Sequence, residues 1–141
     1  MTRLVETLAK RGCLTIDQTE QISTLALLLK KYNIGCLVVT SGTKDNPVGI
    51  VSERDLVKHF NEINNNEVSL IRDIMTTNLI YCDLNSSSKV LMQKMTRYKV
   101  RHLPIMRGKK LVGIVSIGDV VNRIIHNYEE EAKYMKEYIR G

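Results

Sequence analysis

One ten-residue stretch occurs twice in this chain. Residues 48–57 read VGIVSERDLV and residues 112–121 read VGIVSIGDVV, with seven of the ten positions identical. The matches include Ser52 and Asp55 in one copy and Ser116 and Asp119 in the other. The likeness runs outward from there. YNIGCLVV (32–39) aligns with YKVRHLPI (98–105), and 15–32 aligns with 81–98, both at an offset of 66 residues. The offset falls to 64 because TSGTKDNP is two residues longer than MRGKKL. An insertion confined to a turn is what a duplicated unit tolerates. Internal repetition of this kind constrains the architecture before any local reading does.

Each unit reads in the same order. A short apolar strand comes first, CLTI or LIYC. A polar turn opens a helix, expected over 20–31 and 87–98. Leu25, Leu28 and Leu29 fall on one face of the first helix, and Leu91 and Met95 on one face of the second. CLVVT or HLPIM then reads as a buried strand. A turn and the strand VGIVS follow as in a hairpin, and the glycine of that strand lets another backbone or a ligand come close. The Ser starts a second helix. LIRDIM reads as a short helical lead into the second unit, and the polar 61–69 as the connector. The predicted fold is α+β (α/β-like), two β-α-β-β-α repeats. The first unit with an N-terminal helix spans 1–66, and the second with an extended C-terminal helix spans 67–141. A unit of roughly 60 residues has a marginal core alone. The two sheets are therefore expected to share one core about a pseudo-two-fold axis, with two equivalent clefts between the units.

The 141-residue length and 43% hydrophobic content suit one soluble domain. No apolar run approaches the roughly 20 residues of a membrane span, and the start, MTRLVETLAKRG, is a poor signal peptide. A cytoplasmic location is expected. Cys13, Cys36 and Cys82 form no C-x-x-C pair, and Cys36 and Cys82 sit in strand-like runs as small core residues. The formal charge of +6 favours anions, nucleotides included. Few aromatics and scattered charge argue against nucleic acid as the main partner.

Ser-x-x-Asp at a strand-to-helix junction has two uses. The Ser is a favoured N-cap and the Asp completes a capping box. The same junction offers backbone N–H groups to a phosphate and a carboxylate to the hydroxyls of a ribose. A nucleotide site also needs an apolar slot and a cation. RHLPI supplies both, with Arg101 and His102 for phosphate and Leu103–Pro104 beside a flat base.

Two copies of this unit, with GIVS-x-x-D after RHLPI, DIMT between them and YIRG at the end, resemble a pair of cystathionine-β-synthase (CBS) domains of the stand-alone bacterial type. The resemblance covers about residues 12–126. It implies a regulatory, energy- or redox-sensing module that binds AMP or a related adenosine compound (ADP, ATP, NAD(H) or S-adenosylmethionine). It also implies a homodimer and a separate, unidentified effector protein. Asp55 and Asp119 would hold ribose hydroxyls, with Ser52 and Ser116 beside ribose or phosphate. Adenine would lie between the first strand and the RHLP strand. The positions implied are Leu79, Ile80, His102, Leu103 and Pro104 in unit two and Leu14, Thr15, Cys36, Leu37 and Val38 in unit one. Arg101 and Arg54 are the expected phosphate cations. Unit one carries Gly35, Cys36 and Val38 where unit two has Arg, His and Pro. Its cleft is thus expected to lack a local cation, and unit two to make the better adenine pocket. A ligand-free interaction scaffold is the competing reading.

No nucleophile sits with a base and an orienting acid, and no metal-ligand cluster appears, so an enzyme is not expected. His59 and His126 lie on the second helices, near their expected ends, where a His suits the helix dipole. Val121, Ile125, Tyr128, Ala132, Met135 and Ile139 form a heptad-spaced apolar stripe, so the last helix should run to about Tyr138. The stripe packs either on Leu4, Val5 and Leu8 of its own chain or against a second subunit.

Overall fold

The computed structural model describes residues 3–62 and 69–140. The first half contains α1 (Leu4–Arg11), β1 (Thr15–Asp17), α2 (Ile22–Tyr32), β2 (Cys36–Ser41), β3 (Thr43–Ser52) and α3 (Glu53–Glu62). The second contains α4 (Ile71–Ile74), β4 (Cys82–Asp83), α5 (Ser88–Tyr98), β5 (His102–Arg107), β6 (Lys110–Ser116) and α6 (Ile117–Arg140). Each half forms a three-stranded sheet, β1-β2-β3 or β4-β5-β6, whose first pair is parallel and second antiparallel.

The repeats match in their local stereochemistry. The helices α2 and α5 both end on a left-handed residue, Asn33 at φ 51° and Lys99 at φ 54°, which turns the chain into the following strand. Both hairpins turn on a glycine of positive φ, Gly42 and Gly108, a conformation that costs glycine nothing. The two extra residues of the first hairpin are absorbed by register shifts on either side of Thr40. The second hairpin has a single shift, between Ile105 and Met106.

The leading segments exchange sides. Val5 and Leu8 of α1 are buried with Leu91, Leu103, Val115 and Val120, all from the second half. Ile71 of α4 is buried with Leu25, Leu37 and Val51, all from the first half. These positions correspond at the repeat offset (5 + 66 = 71), so the exchange is reciprocal and expresses the pseudo-two-fold relation. Thr76 completes the crossing by exchanging both backbone hydrogen bonds with Ile50, at 2.9 and 2.8 Å. A third, smaller cluster, Val38, Met106 and Leu111, joins the two sheets.

Several expectations need adjustment. The first strands begin two or three residues later than CLTI and LIYC suggest. The lead LIRDIM is helical as expected, but α4 buries itself in the first unit rather than the second. The core is divided into two helix-backed clusters and a small central one, because each sheet turns its helix-covered face away from the other unit. The connector 61–69 falls mainly outside the described residues. On α6, Ile125, Tyr128, Met135 and Ile139 are exposed, so the stripe does not pack on the N-terminal helix. That helix spends its apolar face on the β6 side of the core instead. Because α6 continues to Arg140, His126 lies mid-helix rather than near an end. No helix among the described residues is long and apolar enough to cross a membrane.

A β-carbon at Gly49 would lie 2.7 Å from the Thr76 carbonyl oxygen and 2.9 Å from Met75 Sδ. At Gly113 the nearest atoms, including the backbone of Leu8 and Ala9, lie at 3.3 Å. Overpacking of this kind costs about 1–3 kcal/mol. Urea unfolding should therefore show Gly49→Ala destabilised by about that amount and Gly113→Ala by less. Equal midpoints for Gly49→Ala and the parent would contradict the tight crossing.

Candidate functional site

Both Ser-x-x-Asp junctions are capping boxes. In the first, Asp55 Oδ2 accepts from the Ser52 N–H at 2.8 Å and from Ser52 Oγ at 3.1 Å, while the Asp55 N–H donates to Ser52 Oγ at 3.4 Å. In the second, the corresponding distances are 2.9, 2.8 and 3.1 Å for Ser116 and Asp119. The bonds to the carboxylate converge on Oδ2, so each cap uses one face of its Asp. Each Asp is thereby held at a helix start, next to backbone N–H groups that favour an anion.

Beside these caps, two cavities draw their walls from the sheets of both repeats. The larger, about 680 Å³, has walls from unit one: Cys13 and Leu14 ahead of β1, Tyr32 at the end of α2 and Ile34 after it, and Gly35, Cys36 and Leu37 entering β2. Unit two supplies His102, Ile114, Ser116 and Asp119. Arg11 and Lys44 bring positive charge, and an Arg11 Nη2 lies 3.8 Å from Asp119 Oδ2. The smaller cavity, about 360 Å³, reverses the roles. Leu79, Ile80, Lys99, Val100, Arg101 and His102 come from unit two, while Ile50, Ser52, Glu53, Arg54 and Asp55 come from unit one. Thr76 and Asn78, from the crossing segment, complete it. Gly35 and His102 line both cavities, so the two sites share a partition. Each volume lies in the range of about 300–1,000 Å³ usual for small-molecule sites.

The sequence-predicted residues divide accordingly. Leu14, Cys36, Leu37, His102, Ser116 and Asp119 meet at the larger cavity. Ser52, Arg54, Asp55, Leu79, Ile80, Arg101 and His102 meet at the smaller. Thr15, Val38, Leu103 and Pro104 line neither. Val38 and Leu103 are fully buried and serve the core, and Pro104 is buried in β5 opposite Ile114. The cleft walled by unit one does not lack cations, contrary to expectation, because Arg11 and Lys44 reach it from α1 and the β3 hairpin. The cleft walled by unit two is the smaller one. The repeat alignment marks neither Arg11 nor Lys44, whereas the Tyr32–Tyr98 identity is a signal for Tyr32 that the motif reading does not use. Only the exchanged path of α1 and the hairpin turn bring Arg11 and Lys44 there.

Burial dominates the titration of the uncharged walls. It pushes the wall thiols up, Cys13 to about 11 and Cys36 to about 12, and the core thiol Cys82 to about 11. It pushes the His102 imidazole below its ordinary 6.5. Asp119 opposes that shift and Arg101 reinforces it. His102 is therefore a neutral residue of the partition at pH 7. No cluster of three or more metal-ligating side chains occurs among the described residues.

The sequence pattern of the CBS domain matches residues 5–62 and again 71–126. The chain belongs to the CBS-domain family. Its two matched segments are the two CBS repeats described above. The CBS domain-containing protein CBSX3, mitochondrial, of Arabidopsis thaliana is 36% identical over 117 residues, which is 80% of this chain and 57% of that protein. The chain thus spans little more than half of that relative. Among solved structures, the CBS domain protein PAE2072 of Pyrobaculum aerophilum, complexed with AMP, is 28% identical with a TM-score of 0.74. The match covers 83% of this chain and 88% of that one. The CBS domain pair of protein MJ0100, in complex with 5′-methylthioadenosine and S-adenosyl-L-methionine, is 26% identical with a TM-score of 0.76. That match covers 87% and 99% of the two chains.

A His held below its unfolded value binds its proton less readily in the folded state than in the unfolded one. The folded CBS pair is therefore unaffected by His102 above pH 6.5 and loses stability as the pH falls below it, until the folded imidazole also protonates. His102→Asn should flatten the slope of unfolding free energy against pH in that window, measured by urea melts. An unchanged slope would mean that the partition is not buried in solution.

Proposed function

We propose that this CBS pair is a regulatory module that binds an adenosine compound, with AMP preferred. The make-up of the larger cavity supports the reading best. Apolar walls from one repeat meet a carboxylate at a helix mouth from the other, with Arg11 and Lys44 alongside. Adenine lies among Leu14, Ile34 and Leu37, and the ribose hydroxyls donate to Asp119. An ionised carboxylate has about four acceptor sites, so Asp119 can take a hydroxyl while it still caps α6. The phosphate pairs with Arg11, Lys44 and the N–H groups at the start of α6. That charge pattern favours a nucleoside phosphate over a cationic sulfonium such as S-adenosylmethionine. The adenosine ligands named for the two solved relatives support the same class. The smaller cavity is a second site of the same kind, with Asp55 for ribose and Arg54, Lys99 and Arg101 for phosphate. Occupancy changes output only if two arrangements of the chain bind the ligand unequally. The shared partition at His102 and Gly35 gives one cavity a means of sensing the other.

Thermal melting with AMP, ATP, NADH and S-adenosylmethionine at millimolar concentration tests this directly. Ligand at 100 times its dissociation constant adds about 2.7 kcal/mol. AMP should raise the melting temperature most. Asp119→Ala should lose most of the shift while costing only about 1 kcal/mol of stability as a weakened cap. No shift with any of the four compounds would overturn the proposal.

The exposed stripe on α6 supports a homodimer in which a second copy covers Ile125, Tyr128, Met135 and Ile139. An effector protein would then read the arrangement of that dimer. Sedimentation should give a dimer for the parent and a monomer for Ile125→Asp combined with Met135→Glu. A parent that sediments as a monomer throughout the micromolar range would remove the seam.

A further inference from the structure

The larger cavity differs from the smaller in one chemical respect that nucleotide binding does not use. Two of its wall residues are cysteines, Cys13 and Cys36, whose counterparts in the smaller cavity are Leu79 and His102 (13 + 66 = 79; 36 + 66 = 102). The strands β1 and β2 are parallel, with Thr15 opposite Val38. Cys13 lies two residues ahead of β1, and the same register continued that far would bring it opposite Cys36, on the same face of the sheet. Cys13 packs against the cluster containing Val38, which shares its strand face with Cys36. The two thiols also feel each other electrostatically, since Cys13 helps to raise Cys36. Neighbouring strands lie about 4.8 Å apart, inside the window of about 4.4–6.8 Å between α-carbons that a disulfide spans. All three cysteines are free thiols.

We infer that Cys13 and Cys36 form a dithiol site in the wall of the larger cavity, which a small-molecule disulfide oxidises to an intramolecular Cys13–Cys36 disulfide. Cys13 is the attacking residue. It is the less buried of the two; burial raises its thiol, and Lys44, which lines the same cavity, offsets part of that rise. Its thiolate attacks one sulfur of the small disulfide, expels one small thiolate and leaves a mixed disulfide. The Cys36 thiolate then displaces the second small thiolate. The protein gives up two electrons and two protons, and the small disulfide is reduced to two thiols. In a reducing compartment the pair rests as two thiols and answers an oxidising shift. The new bond ties the segment that joins α1 to β1 onto β2. α1 is the helix that crosses to the second repeat and carries Arg11, so the bond acts on the cavity wall and on the exchange between repeats together.

The test treats the whole folded chain with oxidised glutathione and maps disulfide-linked peptides by mass. A Cys13–Cys36 link within one chain is expected, with a melting temperature raised by several degrees. Cys82→Ser should oxidise as the parent does. Cys36→Ser should stop at a glutathione adduct on Cys13, and Cys13→Ser should form no internal link. The thiols stand at about 11 and 12, so the rate should climb about tenfold per pH unit between 7 and 9. A link through Cys82, a link between chains, or a parent that stops at the Cys13 adduct would overturn the site. Its effect on the cavity rests on the proposed function and is read with AMP. Reduced and oxidised forms should differ at least threefold in dissociation constant, and equal values overturn that effect. If neither form binds AMP, the nucleotide reading fails, while the dithiol site still stands or falls on the peptide map.

Discussion

At Gly49 the Thr76 carbonyl lies where a β-carbon would need room, and at Gly113 the backbone of Leu8 and Ala9 presses in the same way. These two contacts let each leading segment lie on the sheet of the opposite repeat. Val5 and Leu8 then complete one core, and Ile71 completes the other. A unit of roughly 60 residues buries only a marginal apolar core alone. Each fills its core with residues that belong to its twin, so separating the repeats would open both cores at once.

The binding geometry follows from that exchange. With the halves interlocked about a pseudo-two-fold axis, the strand ends of one repeat face the helix starts of the other. Each cavity therefore joins walls from one CBS repeat to a Ser–Asp cap from its neighbour. The arrangement makes ligand affinity a property of how the repeats sit together. It also puts His102 and Gly35 in the partition between the cavities, so both sites share two wall residues. The cap itself needs no ligand. Its hydrogen bonds satisfy the helix start and hold the carboxylate in position beforehand, which lowers the cost of ordering on binding.

Divergence between the repeats has made the two cavities chemically unlike. Where unit two keeps Arg101 and His102, unit one has Gly35 and Cys36. The missing side-chain volume goes with a larger cavity, and the missing charge is replaced from outside the repeat motif by Arg11 and Lys44. The same substitution places a thiol opposite Cys13. One duplicated unit thus carries two environments that share His102, one smaller and without cysteine, the other roomier and lined by two thiols.

Much of this was legible in the chain alone. The repeat at offset 66, the order of elements, the Ser–Asp caps and the long last helix are local or pairwise features. They depend on neighbouring residues and on helical or strand periodicity, so the sequence carries them openly. Asp119 and Asp55 could be named for the same reason. What the sequence could not reveal was which repeat each lead would pack on, and hence which wall would face which carboxylate. Arg11 and Lys44 reach the larger cavity only because of the path of α1 and of one hairpin. Val38, Leu103 and Pro104 occupy motif positions yet are buried, since these strands are covered on both faces, by helices on one side and by the other sheet on the other. Sequence determined the parts and their symmetry. The three-dimensional structure alone decided their pairing, because each half-sized core is completed by the lead of the opposite repeat, a long-range contact that no local pattern encodes.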